Sequence, residues 1–198
     1  RSERMDVEDV RGTLAPYHAL LREQLEHYGG TVEKFIGDAV MALFGAPVSH
    51  EDDPERAVRA ALSIRAAIDR LNEQEPDLDL HLRVGVNTGE ALIVLGADAA
   101  RGEGMASGDV VNTAARLQAA APVDGILVGE TTFRATDRAI AYREADAVLA
   151  KGKARPVPAW EAVEARARLG VDVIQRPTTP LVGRRAEIDL LLDALRRS

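Results

Sequence analysis

Apolar residues recur at helical spacing from Val7 to His27 (Val10, Leu14, Leu20, Leu21, Leu25), and Gly29-Gly30 stops the run. The next stretch, EKFIGDAVMALFG, is two short apolar runs around a Gly-Asp pair, which predicts a hairpin over Thr31 to Phe44. Regular alternation puts Val32, Ile36, Met41 and Leu43 on one hairpin face and Phe35, Val40 and Phe44 on the other. Both faces are apolar, so each needs a cover, and a partner subunit is one candidate for the second. HEDDPERAVRAALSIRAAIDRL opens with helix-start signals: Asp53 as N-cap, Pro54 at the first position and Glu55 in the first turn.

Beyond that helix, Leu80, Leu82, Val84 and Val86 alternate, and Asn87-Thr88-Gly89 predicts the turn of a second hairpin. Gly96 to Gly108 is rich in Gly and Ala and predicts a loop. Asp109 to Ala121 predicts a helix closed by Pro122. Short strands are expected at 125–129, 139–143 and 159–163, with a helical turn near 130–135. This succession predicts an α+β fold of ferredoxin-like type, an antiparallel sheet with helices packed on one face. Residues 165–180 read as a linker, and Ile188, Leu191, Leu192 and Leu195 form the apolar side of a short terminal helix.

Composition narrows the class. The chain has 198 residues, room for one substantial core and part of another domain. It begins with Arg1, which fits a piece of a longer protein. There are no cysteines, which excludes disulfides and thiolate metal sites and points to a reducing, cytoplasmic home. No apolar run approaches the roughly 18 residues of a membrane span. A net charge of −7 argues against a nucleic-acid-binding face. Of 25 basic residues only Lys34, Lys151 and Lys153 are lysines, so each marks a place where a compact, flexible ammonium suits better than an Arg fork.

The candidate chemistry starts at Asp38, a carboxylate at the tip of an otherwise apolar hairpin. By itself it reads as a turn former. Asn112 and Arg116, at i and i+4, share one face of the predicted helix, where Asn carries a propensity cost of about half a kcal/mol. The cluster His50, Glu51, Asp52 and Asp53 reads as helix capping rather than a metal site. His18, His27 and His81 show no ligand spacing.

Three motifs in order, EKFIGDAVMALFG, GDVVNTAARLQ (Gly108 to Gln118) and AKGKARPVPAW (Ala150 to Trp160), resemble the class III adenylate and guanylate cyclase catalytic domain. The resemblance covers roughly residues 3 to 164, so residues 1–164 are expected to form the domain. It implies that Asp38 holds two divalent cations, Mg²⁺ or Mn²⁺, with an Asp on the domain's opening strand. That strand would lie before Arg1, so the domain is expected to lack its first strand here. It further implies that Lys34 donates to the adenine of ATP, that Asn112 orients the ribose, and that Arg116 stabilises charge on the phosphate. Lys151, then Lys153, would reach the triphosphate. The active form would be a homodimer with shared sites.

Met105 departs from the family pattern. That position usually holds Asp or Thr to help read the base, and a thioether is a weak acceptor. The tail TPLVGRRAEIDLLLDAL resembles the lead-in to a P-loop ATPase domain, expected to begin at 181–198 and to continue as a covalently attached partner. A catalytically degenerate, nucleotide-binding regulatory module and a guanylate cyclase remain open as second and third readings.

Overall fold

The computed structural model describes residues 7–94, 106–148, 156–166 and 169, with side chains from Pro16 onward. Twelve elements follow in order: α1 (Val7–His27), β1 (Thr31–Ile36), β2 (Ala39–Leu43), α2 (Asp53–Gln74), β3 (Val84–Val86), β4 (Leu92–Ile93), β5 (Ala106–Ser107), α3 (Asp109–Ala120), β6 (Ile126–Gly129), α4 (Glu130–Thr136), β7 (Ile140–Val148) and β8 (Val157–Ala165).

Helix α2 is the centre of the packing because its small and branched residues serve two faces. Val58 and Ala61 pack with Ile126, Val128, Ile140 and Ala162 of the sheet. Ala60, Ile64 and Ile68 pack with Leu21 and Leu25 of α1 and with Val32, Phe35, Val40 and Phe44 of the hairpin. Ile68, Ile126 and Ile140 are among the largest fully buried side chains. Each is worth about 1.5–3 kcal/mol of burial.

The main sheet runs β3-β6-β8-β7. β3 and β6 are parallel, and the other neighbours are antiparallel. The α+β class expected from the sequence holds, and the structure refines its layering. On β6, Ile126 and Val128 face α2, while the intervening Leu127 packs with Leu117 and Ala121 at the far end of α3. Alternation along a strand means that α3 covers the sheet face opposite α2. Helices therefore lie on both faces, and the sheet is mixed.

The second hairpin is not present. β3 pairs with β6, and β4 pairs with β5 in a separate two-stranded sheet. The parallel β3–β6 pair requires a crossover, which α3 supplies. Asn87 does not turn a hairpin; its side-chain Nδ2 donates to the Val110 carbonyl at 3.2 Å and ties the end of β3 to the start of α3. The loop expected over 96–108 contains β5, and residues 96–105 lie outside the described residues. β7 and β8 are longer than expected, each nine residues.

The hairpin β1–β2 forms where expected, with an irregularity that the alternation did not show. Val32 pairs with Ala42 and Lys34 with Met41, leaving Glu33 as an extra residue in a bulge. The bulge moves Val32 onto the face of Phe35, Val40 and Phe44, and all four pack on the helices. The apolar second face is thus covered within the chain. The opposite face keeps Met41 and Leu43, and Ile36 is 60 % exposed at its tip. At α2 the N-cap is Asp52, one residue earlier than expected. The Asp53 carboxylate instead accepts from the His50 N–H at 2.7 Å. Segment 181–198, with its expected helix, lies outside the described residues, as does the linker beyond residue 169.

Candidate active site

The β1–β2 turn is built by Gly37, whose φ of +63° is followed by a negative φ at Asp38, the pattern of a type II′ turn. Asp38 is exposed at the tip. One α1 side chain, His18, fixes this turn from behind. His18 donates Nε2–H to the Gly37 carbonyl at 3.1 Å and stacks on Phe35 with ring centroids 4.2 Å apart. Burial, and next the negative charge of Asp38, raise the Tyr17 phenol above its ordinary pKa. Asp38 therefore projects negative charge onto the middle of α1. His18 has a structural partner that its sequence context did not show.

Lys34 stands on the same hairpin, half-exposed, with Nζ 3.5 Å from Oε1 of Glu33. The Glu33 side chain is only 2 % exposed. Sequence reasoning passed over Glu33. Two adjacent charged residues inside an apolar strand were the available signal, because a regular strand would force one of them into the core.

Asn112 and Arg116 share one side of α3, Asn112 exposed and Arg116 half-buried. Their helix is seated by Leu117, which is fully buried, and by Gly85 of β3. Gly85 lets the two backbones touch: a Cβ there would lie 2.2 Å from the Ala114 carbonyl oxygen and 2.4 Å from the Gln118 nitrogen. The structure thus brings Lys34 and Asp38 together on one hairpin, and Asn112 and Arg116 together on one helix. It packs the two elements into separate core clusters, the hairpin with α1 and α2, α3 with β6 and the sheet face beyond. Lys151, Lys153 and Met105 lie outside the described residues.

For a divalent cation, Asp38 is a fitting ligand in kind, a hard oxygen donor open to solvent. In number the fit falls short. Among the described residues no group of three or more His, Asp or Glu gathers to hold a metal ion. The His50–Asp53 cluster does not cap the helix as expected either: the N-cap Asp52 makes no side-chain cap hydrogen bond and pairs with Arg56, while the Asp53 carboxylate accepts from the His50 N–H ahead of the helix.

A family model of the adenylate and guanylate cyclase catalytic domain matches residues 2–160. The chain belongs to that family, whose enzymes make cyclic nucleotides. It is 29% identical over 168 residues to adenylate cyclase 1 of Rhizobium meliloti (strain 1021), covering 82% of this chain and 25% of that protein. It is 32% identical over 170 residues to the terminal-differentiation specific adenylate cyclase of Dictyostelium discoideum, covering 82% of this chain and 8% of that protein. The chain spans a quarter or less of the length of these curated relatives. Its structure is similar to the adenylyl cyclase CyaB from P. aeruginosa, with a TM-score of 0.75 at 29% identity over 85% of this chain and 89% of that chain. It is also similar to the guanylyl cyclase Cya2, with a TM-score of 0.72 at 29% identity over 85% of this chain and 87% of that chain. Relatives with both base preferences match, so the choice of base turns on side chains. No helix among the described residues is long and apolar enough to cross a membrane.

Proposed function

We propose that this chain is the catalytic domain of an adenylate cyclase, converting ATP to 3′,5′-cyclic AMP and pyrophosphate. The observation that carries the base choice is Lys34, held beside Glu33 on the hairpin that also presents Asp38. An ammonium only donates, which suits the acceptor N1 of adenine and opposes the N–H at N1 of guanine.

In the reaction the ribose 3′-oxygen forms a bond to the α-phosphorus, the hydroxyl proton is lost, and the bond to the β-phosphate oxygen breaks. Asn112 would hold the ribose so that the 3′-oxygen faces phosphorus, a contribution of positioning. Arg116 would donate to the phosphate oxygens as charge gathers on them, for which a planar guanidinium is suited. Lys151 and Lys153 would neutralise the triphosphate and the departing pyrophosphate. Mg²⁺ or Mn²⁺, when bound, would lower the hydroxyl pKa and offset phosphate charge, with Asp38 as one of the carboxylates holding the ions. Because the hairpin and α3 sit in separate clusters, the reading places them opposite one another across a homodimer, with Ile36 and Met41 on the uncovered hairpin face. It includes a cytoplasmic location and a P-loop ATPase domain attached after the linker.

In the full-length protein, Lys34→Glu is expected to lower kcat/KM for ATP relative to GTP by about tenfold or more, since a donor facing an acceptor becomes an acceptor mismatch of roughly 1–3 kcal/mol. Initial rates with both nucleotides measure it. An unchanged ratio would remove Lys34 from base reading. A second reading, a nucleotide-binding regulatory module without turnover, draws on the absence, among the described residues, of any group of three or more His, Asp or Glu that could hold a metal ion.

A further inference from the structure

The most unusual group near the proposed base pocket is the Glu33 carboxylate. Its side chain is almost wholly buried, and burial of a carboxylate is costly unless donors or cations meet it. In a regular strand, Glu33 and Lys34 would point to opposite faces. The bulge releases them from that alternation: Glu33 has no residue opposite it, and its Oε1 lies 3.5 Å from Lys34 Nζ. Both flanks of the pair are anchored. Val32 packs in the core, and Phe35 is held against α1 by the His18 ring at 4.2 Å and the Arg22 guanidinium at 5.4 Å. The carboxylate is therefore mounted on a fixed piece of backbone, whereas the lysine is half in solvent on a flexible four-carbon stem.

From this geometry we propose that Glu33 is a positioning residue that sets nucleotide selectivity, by fixing the Lys34 ammonium toward the base. The ammonium has three donors, and Glu33 engages one direction, leaving the others for an acceptor on the ligand. Without the anchor, the lysine would have to be ordered at the moment of binding, and that cost would fall on the adenine nucleotide alone. The proposal rests on the reading that Lys34 contacts adenine.

Isothermal titration of the full-length protein with 3′-deoxy-ATP and 3′-deoxy-GTP tests it. Both probes lack the attacking hydroxyl, so binding is read without turnover. Four proteins are compared: wild type, Glu33→Gln, Lys34→Met and the double variant. Glu33→Gln keeps size and removes charge; it is expected to weaken 3′-deoxy-ATP by about tenfold and 3′-deoxy-GTP by less than about twofold. In the Lys34→Met background, Glu33→Gln should add nothing to that ratio. Equal weakening of both probes by Glu33→Gln, or a fallen melting temperature with the ratio intact, would make Glu33 a purely structural residue and overturn the proposal. If Glu33→Gln does not fold, Glu33→Asp, which keeps the charge one methylene short, replaces it and is expected to show a smaller shift of the same sign. A Lys34→Met protein with an unchanged ratio, or a wild type that binds neither probe, would instead overturn the underlying reading of Lys34. A ratio that moves in Lys34→Met and stays fixed in both Glu33 variants overturns the role of Glu33 alone.

Discussion

Mixed in equal amounts, Asp38→Ala and Arg116→Ala forms of the full-length protein are expected to recover about a quarter of wild-type cyclase activity. Each alone should be nearly inactive, because removing one preorganised donor or ligand from a phosphoryl-transfer site costs about 10²–10³ in rate. The recovery follows from where the residues sit. Asp38 is at the tip of a hairpin packed on α1 and α2, and Arg116 is on a helix in a different core cluster. With a two-fold axis, each site would take its metal carboxylate from one chain and its phosphate donor from the other. A mixed dimer then has one site with both lesions and one with neither. Random pairing makes about half the dimers mixed, and half of the sites in those are intact. Activity should therefore rise on mixing and with total concentration. A mixture as inactive as its components, with heterodimers shown to form, would contradict shared sites.

Gly85→Ala is expected to damage the same helix without touching any proposed ligand contact. The added Cβ would meet the Ala114 carbonyl and the Gln118 nitrogen at 2.2 and 2.4 Å, and both are backbone atoms that no rotamer change can move. α3 must lift from β3, opening the packing around the fully buried Leu117. Overpacking of this kind costs about 1–3 kcal/mol or more. For a chain of this size that is a drop of roughly 2–12 °C in Tm. A shift of about 1 Å in Asn112 and Arg116 would also reduce turnover by about 100-fold. Thermal melts and initial rates on the same preparation measure both. A wild-type Tm together with a wild-type rate would show that α3 does not lie this close to the sheet.

Much of the fold was legible where the information is local. The apolar period of α1 and α2, the glycines ending α1, and the Gly-Asp turn each act within a few residues, and the elements form where the pattern put them. Strand partnership is a different kind of fact. Val84 and Val86 alternate as any strand would, but nothing local says that their neighbour is β6, some forty positions on, rather than the segment after Gly89. The extended β7–β8 ladder was hidden because its outer positions are charged; Arg143 and Glu161, 2.8 Å apart across the two strands, show how such positions are accommodated. The bulge was hidden by the same assumption of strict alternation, and with it the true sorting of the hairpin faces.

The candidate site divides along the same line. Lys34, Asp38, Asn112 and Arg116 became candidates through the motifs that resemble the cyclase family, and the structure places the first two on the β1–β2 hairpin and the last two on α3. His18 was not legible, since a histidine on a helix has many ordinary uses, and Glu33 was passed over although its place beside Lys34 in an apolar strand was a signal. The structure adds what local pattern did not show, the His18 ring beneath the Gly37 carbonyl and the bulge that buries the Glu33 carboxylate next to the Lys34 ammonium.

The most direct test of adenylate cyclase function is product formation by the full-length protein, given ATP or GTP with Mg²⁺ or Mn²⁺, beside its Asp38→Ala form. Cyclic AMP in clear excess over cyclic GMP, reduced by about 10²-fold or more in Asp38→Ala, is the expected result. No cyclic nucleotide from either substrate with either ion, by a folded wild-type protein that still binds nucleotide, would contradict it and leave a regulatory nucleotide-binding module in its place.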